Sequence, residues 1–304
     1  MTAGTPSAAA AGARPVLDAR RRTWATRLIV RGSVLLYLGL LLALPVAMVF
    51  VRALENGLDP VLKAIDRPAF QSAFWLTLQV TAIAVTVNAI FGVVAALTLV
   101  RRRFPGRGFL NALIDLPFAL SPVVIGLSLV LVYGKDGWLG GFLADMGITV
   151  IFAVPGMVLA TIFVSLPFVV REVMPVLREI GTDQEEAAYT LGASQWRTFW
   201  RVTLPAIRWG VIYGIILTTA RSLGEFGAVA IVSGKISGKT ETLTTHVEER
   251  YLAFDLVGAY TASIVLAIMA LTVLLTMTAY QSGRLQRRRS KDGDQRPSAD
   301  EAVR

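Results

Sequence analysis

Long apolar stretches alternate with short polar segments along this chain. Six stretches occur, at about 33–51, 73–100, 112–133, 148–170, 208–232 and 258–281. Each is longer than the roughly 18 apolar residues that indicate a membrane-spanning helix. Prolines within the third and fourth stretches are tolerated in membranes because neighbouring helices satisfy the freed backbone groups. The pattern predicts an all-α integral membrane protein with six transmembrane helices.

The amino-acid composition agrees with this class. Of 304 residues, 54% are hydrophobic and 17% are charged, with a mean hydropathy of +0.60. Soluble domains average about 45–50% apolar and about 25% charged residues. The chain has no cysteine, which excludes disulfides, thiolate chemistry and cysteine-based metal sites.

Lysine and arginine are divided unevenly between the segments that join the stretches. Of the 30, 22 lie in segments on the side of the N-terminus, 7 lie on the opposite side, and Arg221 lies inside the fifth stretch. Because positively charged segments remain in the cytoplasm, both termini are predicted to be cytoplasmic. The segments 52–72, 134–147 and 233–257 are predicted to lie outside.

The polar ends of the chain flank the membrane region. We expect residues 1–27 to form a disordered cytoplasmic tail, 28–282 the transmembrane domain, and 283–304 a cytoplasmic C-terminal tail. The first apolar stretch is predicted to be a retained helix, not a cleaved signal. The chain is basic, with a sequence pI near 10.2, and its runs of arginine adjoin the ends of the predicted membrane helices. These runs predict contact with membrane lipid headgroups and no nucleic-acid partner.

A polar segment between the fourth and fifth stretches predicts two short helices. Residues 183–191 favour a helix with acidic residues at its start, where the helix dipole stabilises negative charge. Gly192 can adopt the left-handed conformation that ends a helix. A second helix is expected over about 194–201, with Pro205 as the next boundary. These two predicted helices carry four aromatic residues, Tyr189, Trp196, Phe199 and Trp200.

The same segment contains a spaced motif. The sequence reads E-A-A, three residues, Gly192, nine residues and V-x-L-P. It resembles the EAA loop of ABC importer permeases, whose consensus ends I-x-L-P, so valine is a mild departure. The resemblance implies a type I importer with a core at 71–282 and a coupling loop at 171–208 that docks on a separate ATPase. An ordinary amphipathic loop is the alternative. The coupling residues implied are Glu186, Ala187, Ala188, Gly192, Leu204 and Pro205.

Two opposite charges stand in the fifth stretch. Arg221 lies 13 residues inside it, about 20 Å deep at a rise of 1.5 Å per residue, and Glu225 follows four residues later. A charge at that depth is costly and must face protein or water. The pair either locks helices together or contributes to an anion path or gate. In the second case Ser222, Gly224 and Gly227 would let backbone approach an anion.

The stretch from Arg221 to Glu241 carries a second resemblance. R-x-x-G-E-F-G, followed by V-S-G-x-I-x-G-x-T-x-T, is similar to sulfate/thiosulfate importer permeases, closest to the W-type subunit. The resemblance covers about 30–282 and implies a bacterial cell membrane location. It also implies a homologous T-type permease, a cytoplasmic ABC ATPase dimer and an extracytoplasmic sulfate-binding protein as partners. A molybdate/tungstate permease is the alternative within the class, and a secondary transporter is the alternative outside it.

The sequence predicts no enzymatic activity, cofactor or metal. Residues 233–240 read S-G-K-I-S-G-K-T, which misses the first glycine of a phosphate-binding loop and lies on the predicted outer side. His246 is the only histidine, and we expect it to be a solvated surface residue. ATP hydrolysis is therefore expected from a separate subunit.

Overall fold

The computed structural model describes residues 30–294, with side chains up to residue 279. Within this range all regular elements are helices, and there is no strand. The predicted tail at 1–27 and the end of the C-terminal tail, from residue 295, lie outside the described residues. The chain divides into two units, 1–55 and 56–304.

The first unit contains one described helix. α1, Val30–Leu54, has 25 residues and is long and apolar enough to span a membrane, in agreement with the predicted stretch at 33–51. None of its most apolar 18-residue window is buried.

The second unit contains eleven helices within the described range. Three of them, and most of a fourth, are long and apolar enough to span a membrane: α3, α7, α9 and residues 256–279 of α12. Their bounds are α2 Leu58–Ile65, α3 Pro68–Arg101, α4 Arg107–Ala119, α5 Pro122–Tyr133, α6 Gly140–Asp145, α7 Val154–Ile180, α8 Asp183–Thr190, α9 Gln195–Leu223, α10 Gly227–Val232, α11 Leu243–Leu252 and α12 Leu256–Asp294.

The third predicted span, 112–133, consists of two helices instead of one. The direction of the chain bends by 114° between α4 and α5. The bend falls at Leu120 and Ser121, whose ψ angles of 141° and 137° are extended. Pro122 causes it, because a proline disfavours the helical region for the residue before it and is well suited to begin a new helix.

α4 and α5 pack against different parts of α7. Ile114 of α4 packs in a buried cluster with Val173 and Leu177, near the end of α7. Ile125 of α5 packs in a second cluster with Met157, near the beginning of α7. The described residues contain five helices that are long and apolar enough to cross a membrane, and six spans if the bent pair is counted as one.

The helices α7 and α9 approach each other closely at two glycines. A Cβ atom at Gly214 would lie 2.8 Å from the Cα of Val169, and one at Gly210 would lie 3.0 Å from the carbonyl oxygen of Glu172. Contacts below 3.0 Å leave no room for a side chain. The Gly-x-x-x-Gly spacing is therefore a helix-packing face, as small residues at this spacing are in many membrane proteins.

The fifth span differs most from the prediction of 208–232. Its helix begins at Gln195 and ends at Leu223, and Pro205 is not a boundary within it. A π-helical turn, Phe199–Thr203, precedes the proline, and Leu204 N–H donates to the carbonyl of Phe199. This wider turn removes the hydrogen bond that a proline would otherwise break. As a result, one helix connects the predicted coupling segment to Arg221.

Candidate functional site

The connection between α7 and α9 forms the predicted two-helix structure. α8 begins with Asp183, Glu185 and Glu186 in its first turn. At its end, Gly192 has a φ angle of +80°. Ala193 N–H donates to Ala188 O at 3.0 Å and Gly192 N–H to Tyr189 O at 2.9 Å. This is the Schellman pattern, which confirms the predicted left-handed stop at Gly192.

The second helix of the connection is the start of α9. Ser194 has an extended backbone, and its hydroxyl accepts a hydrogen bond from Arg197 N–H at 3.4 Å. This capping satisfies one of the free donors at the helix start. Leu204 and Pro205, which the sequence places at the end of the motif, lie inside the continuous helix.

Large apolar side chains are exposed around this connection. The exposed fraction is 88% for Leu191, 71% for Trp196 and 50% for Trp200. Phe199, by contrast, packs inward against the core. The two tryptophan rings contact each other edge to face, with centroids 5.5 Å apart. We call Tyr189, Leu191, Trp196 and Trp200 the aromatic knob. Exposed apolar clusters of this kind mark sites of contact with another protein or with the membrane.

The adjacent glutamates of α8 have different environments. Glu186 is exposed and accepts a hydrogen bond from the hydroxyl of Thr182 at 2.7 Å. Glu185 is 13% exposed and pairs with Arg101, the last residue of α3. From the sequence alone, Arg101 is one of several basic residues near a predicted membrane end, and nothing local indicates its partner. An arginine at the final turn of a long apolar helix was the available signal.

The other end of α9 is a break in the helix. Arg221 lies in the last turn of α9, and Glu225 lies in the irregular residues before α10. The sequence predicted one continuous helix through both residues, and this prediction is wrong. Nη1 of Arg221 lies 2.7 Å from Oε2 of Glu225. Oε1 of Glu225 accepts from Ala228 N–H at 3.0 Å. The carboxylate therefore caps α10 and binds the arginine at the same time.

Burial separates the two members of this pair. The side chain of Glu225 is 2% exposed, and that of Arg221 is 33% exposed. Among the described residues, Glu225 is the only polar partner of Arg221, although a guanidinium has five N–H donors. Arg221 lies 26 residues after Gln195, about 39 Å along α9 at 1.5 Å per residue, and two residues before the helix ends at Leu223.

Two of the other residues predicted at this site, Ser222 and Gly227, are packed against protein. Ser222 is 6% exposed, with its hydroxyl 3.4 Å from that of Ser165. A Cβ at Gly227 would lie 2.9 Å from Cβ of Pro122 in α5, and Gly224 has more open surroundings. Of the predicted set, Arg221 thus has the accessible polar group.

The residues after α10 close over the break. Thr244 donates its hydroxyl to the carbonyl of Glu225 at 2.9 Å. Leu243 N–H donates to the hydroxyl of Thr77 in α3 at 2.8 Å. Thr242 begins α11 as part of a capping box. Thr244 and Thr77 therefore hold the start of α11 next to Glu225, and Thr242, the last residue of the V-S-G-x-I-x-G-x-T-x-T stretch, begins that helix.

The comparisons with known proteins agree with this geometry. Residues 88–290 match the family described as "Binding-protein-dependent transport system inner membrane component". The chain belongs to this family. It is 51% identical over 254 residues to the "Sulfate transport system permease protein CysW" of Synechocystis sp., covering 84% of this chain and 92% of the relative. It is 53% identical over 244 residues to the protein of the same name from Synechococcus elongatus, covering 80% and 85%.

A solved structure supports the fold. This permease resembles a chain in the crystal structure of a bacterial alginate ABC transporter in complex with an alginate pentasaccharide-bound periplasmic protein. The TM-score is 0.70 at 18% identity, covering 84% of this chain and 93% of that one. At this identity the likeness supports the architecture and not the substrate.

The permease also has an acidic cluster outside its spans. It consists of Glu241, just before α11, and of His246 and Glu249 on α11. His246 is 2% exposed, and its Nδ1 lies 2.6 Å from Oε1 of Glu241, so the predicted solvated histidine is wrong. Phe70 of α3 covers its ring edge to face. The sequence could not show this because the partner, Phe70, is distant in the chain.

The two carboxyl groups of this cluster titrate differently. Burial and the neighbouring Glu241 carboxylate raise the pKa of Glu249. Burial also acts to raise the pKa of Glu241, but hydrogen bonds, that of His246 first, outweigh it and leave this pKa below its ordinary value. Glu249 is therefore the carboxyl that retains a proton more readily. Among the described residues there is no group of three side chains arranged to hold a metal ion.

Proposed function

We propose that this chain is the permease subunit of an ATP-driven importer that moves sulfate or thiosulfate into the cytoplasm. The observation that carries the proposal is the accessible Arg221 in a helix break whose surrounding sequence is that of sulfate permeases. The two curated relatives named for sulfate transport match it over most of their length. The permease would lie in the bacterial cell membrane with both termini cytoplasmic, as the distribution of lysine and arginine requires.

The aromatic knob is the surface that we assign to a cytoplasmic ATPase dimer. It lies on two short helices between membrane spans, and it exposes tryptophan side chains, which are enriched in protein interfaces. Glu186 is exposed beside it and can meet a basic group. Leu204 and Pro205 act inside α9, where they continue the helix toward the membrane. A T-type permease and an extracytoplasmic binding protein complete the assembly.

α9 links the two functional ends of the permease. It is a single helix of 29 residues, about 44 Å long, from the knob to the Arg221 break. Closure of the ATPases on ATP would displace the start of α9. Because a packed helix moves as a rigid element, the displacement reaches the break and changes the access of the anion.

Arg221 supplies the attraction for a divalent anion. Its guanidinium is held by Glu225 and still presents open N–H donors. Arginine binds tetrahedral oxyanions through such donors without losing its charge. Glu225 neutralises part of that charge, so the anion would be attracted without being trapped. Molybdate and tungstate have the same shape and charge, and they remain the second candidate substrates.

The test is sulfate uptake in the bacterium that makes this permease. Deletion of the gene is expected to abolish uptake of labelled sulfate, and expression of the full chain to restore it. Excess unlabelled thiosulfate should compete, and excess molybdate should not. Normal uptake in the deletion strain, or competition by molybdate alone, would refute the sulfate proposal.

A further inference from the structure

We propose that Arg101 is a positioning residue for the coupling of ATP hydrolysis to transport. Its side chain connects the helices that carry the knob to the membrane helices. The inference rests on the proposed docking of an ATPase at the knob. It assigns a role to a residue that the motif does not contain.

The first observation is that α8 has little packing of its own. None of its eight residues, all within the described range, is buried. It is flanked by Gly181 and Gly192, with φ angles of +64° and +80°. Glycines in such conformations can act as hinges. A helix without buried side chains between two hinges would swivel when a partner pushes on it, unless another contact holds it.

Arg101 provides that contact. Its Nε lies 3.0 Å from Oε2 of Glu185 in α8. Nη1 donates to the carbonyl of Leu177 at 3.1 Å, and Nη2 donates to that of Gly181 at 2.6 Å. Oε1 of Glu185 in turn accepts from the hydroxyl of Thr203 in α9 at 2.9 Å. One side chain therefore joins the ends of α3 and α7 to α8, and through Glu185 to α9.

The chemistry of the site requires arginine. The carbonyls at the end of α7 have no partner within their helix, and they carry the negative end of its dipole. Glu185 adds a full negative charge in the first turn of α8. The planar guanidinium can bind all three acceptors at once, whereas a lysine ammonium is a point charge on a flexible stem. The side chains of Arg101 and Glu185 are also shielded from solvent, with exposed fractions of 16% and 13%.

The expected consequence is a transmission role. With Arg101 in place, a displacement of α8 moves the ends of α3 and α7 together with α9. Without it, α8 can rotate about its two glycines while the membrane helices remain still. ATP would then be hydrolysed without a matching movement of substrate.

The test compares Arg101→Lys with Arg102→Lys in the complete reconstituted transporter. Arg102 is the exposed neighbour, and it has no recorded partner among the described side chains. We expect Arg101→Lys to assemble, to hydrolyse ATP within about twofold of wild type, and to lose at least about fivefold in sulfate imported per ATP. Arg102→Lys should match wild type. An unchanged ratio in Arg101→Lys overturns the proposal, and so does loss of the ATPase from the complex.

A second measurement separates this inference from the proposed substrate. The chain has no cysteine, so spin labels can be placed at Thr98→Cys on α3 and Thr190→Cys on α8. Arg101→Lys should broaden the distance distribution between the labels in the nucleotide-free complex, and Arg102→Lys should not. Broadening in a complex that does not transport sulfate would refute only the substrate. An unchanged distance distribution would refute the positioning role of Arg101, whatever the substrate is.

Discussion

Arg221 and Glu225 form an ion pair across a helix break, with Nη1 and Oε2 2.7 Å apart. Glu225 is almost completely buried, and Arg221 is one third exposed. The glutamate also caps the next helix through Ala228. The two residues therefore have unequal roles: Glu225 stabilises the break, and Arg221 presents the remaining charge.

The first prediction concerns this pair. Arg221→Gln with Glu225→Gln leaves no unpaired buried charge, so the complex should assemble. Loss of charge-assisted hydrogen bonds worth about 1.5–3 kcal/mol should lower sulfate uptake at least about tenfold. Co-purification of the subunits and uptake of labelled sulfate are measured in the same membranes. Lys239→Gln, which removes an exposed charge from the segment between α10 and α11, is the control. Wild-type uptake in the double variant would show that the pair is only structural.

The second prediction concerns Gly192. Its φ of +80° is costly for a β-branched residue, by about 1–3 kcal/mol, although the surrounding space is open. Gly192→Val should therefore insert normally in the membrane but bind the ATPase weakly and import little sulfate. Gly108→Val adds the same side chain in open space without a positive φ, and it should be nearly normal. Full sulfate-dependent growth of Gly192→Val would refute the assignment of the knob.

The third prediction concerns the broken span. If α4 and α5 cross the membrane together, reporter fusions after residues 140 and 245 should be outside, and fusions after 105, 190 and 295 should be inside. If the pair instead returned to the same side, the fusion after 140 would be cytoplasmic. The fusion after 190 would then be outside, which would exclude docking of a cytoplasmic ATPase on the knob.

The fourth prediction concerns Glu249, whose pKa is raised in the folded protein. The folded state then retains a proton that the unfolded state releases above about pH 4.5. This contribution to stability is present below that pH and is lost as the pH rises through the higher folded value. Glu249→Gln should raise the melting temperature at pH 7.5 and reduce its change between pH 4.5 and 7.5. The exposed Glu179→Gln serves as control, and an unchanged pH profile in Glu249→Gln would contradict the assignment.

Much of this architecture could be predicted from local patterns. Apolar length located α1, α3 and the membrane part of α12, and the left-handed Gly192 followed from its position after a helix-forming run. The errors arose where a proline has two possible effects. Pro122 breaks a span, whereas Pro205 continues one behind a π-helical turn. Which effect occurs depends on the backbone before the proline, and hydropathy does not report that.

The site was predictable only in part. The chain distance between Arg221 and Glu225 indicated a pair, but their unequal burial depends on α10 and on Thr244, which fold over the break. Arg101 and Glu185 are 84 residues apart, and His246 is covered by Phe70 from another helix. Contacts of this kind result from tertiary packing, and one sequence contains no signal that joins them.

The most direct test of the account is transport by the purified complex. The permease is reconstituted in liposomes with its T-type partner, the ATPase and the binding protein, and labelled sulfate is followed with ATP available to the ATPase. We expect sulfate to accumulate against its gradient only when both ATP and the binding protein are present. Accumulation that follows an ion gradient without ATP would contradict the account, and so would ATP-driven accumulation of molybdate but not sulfate.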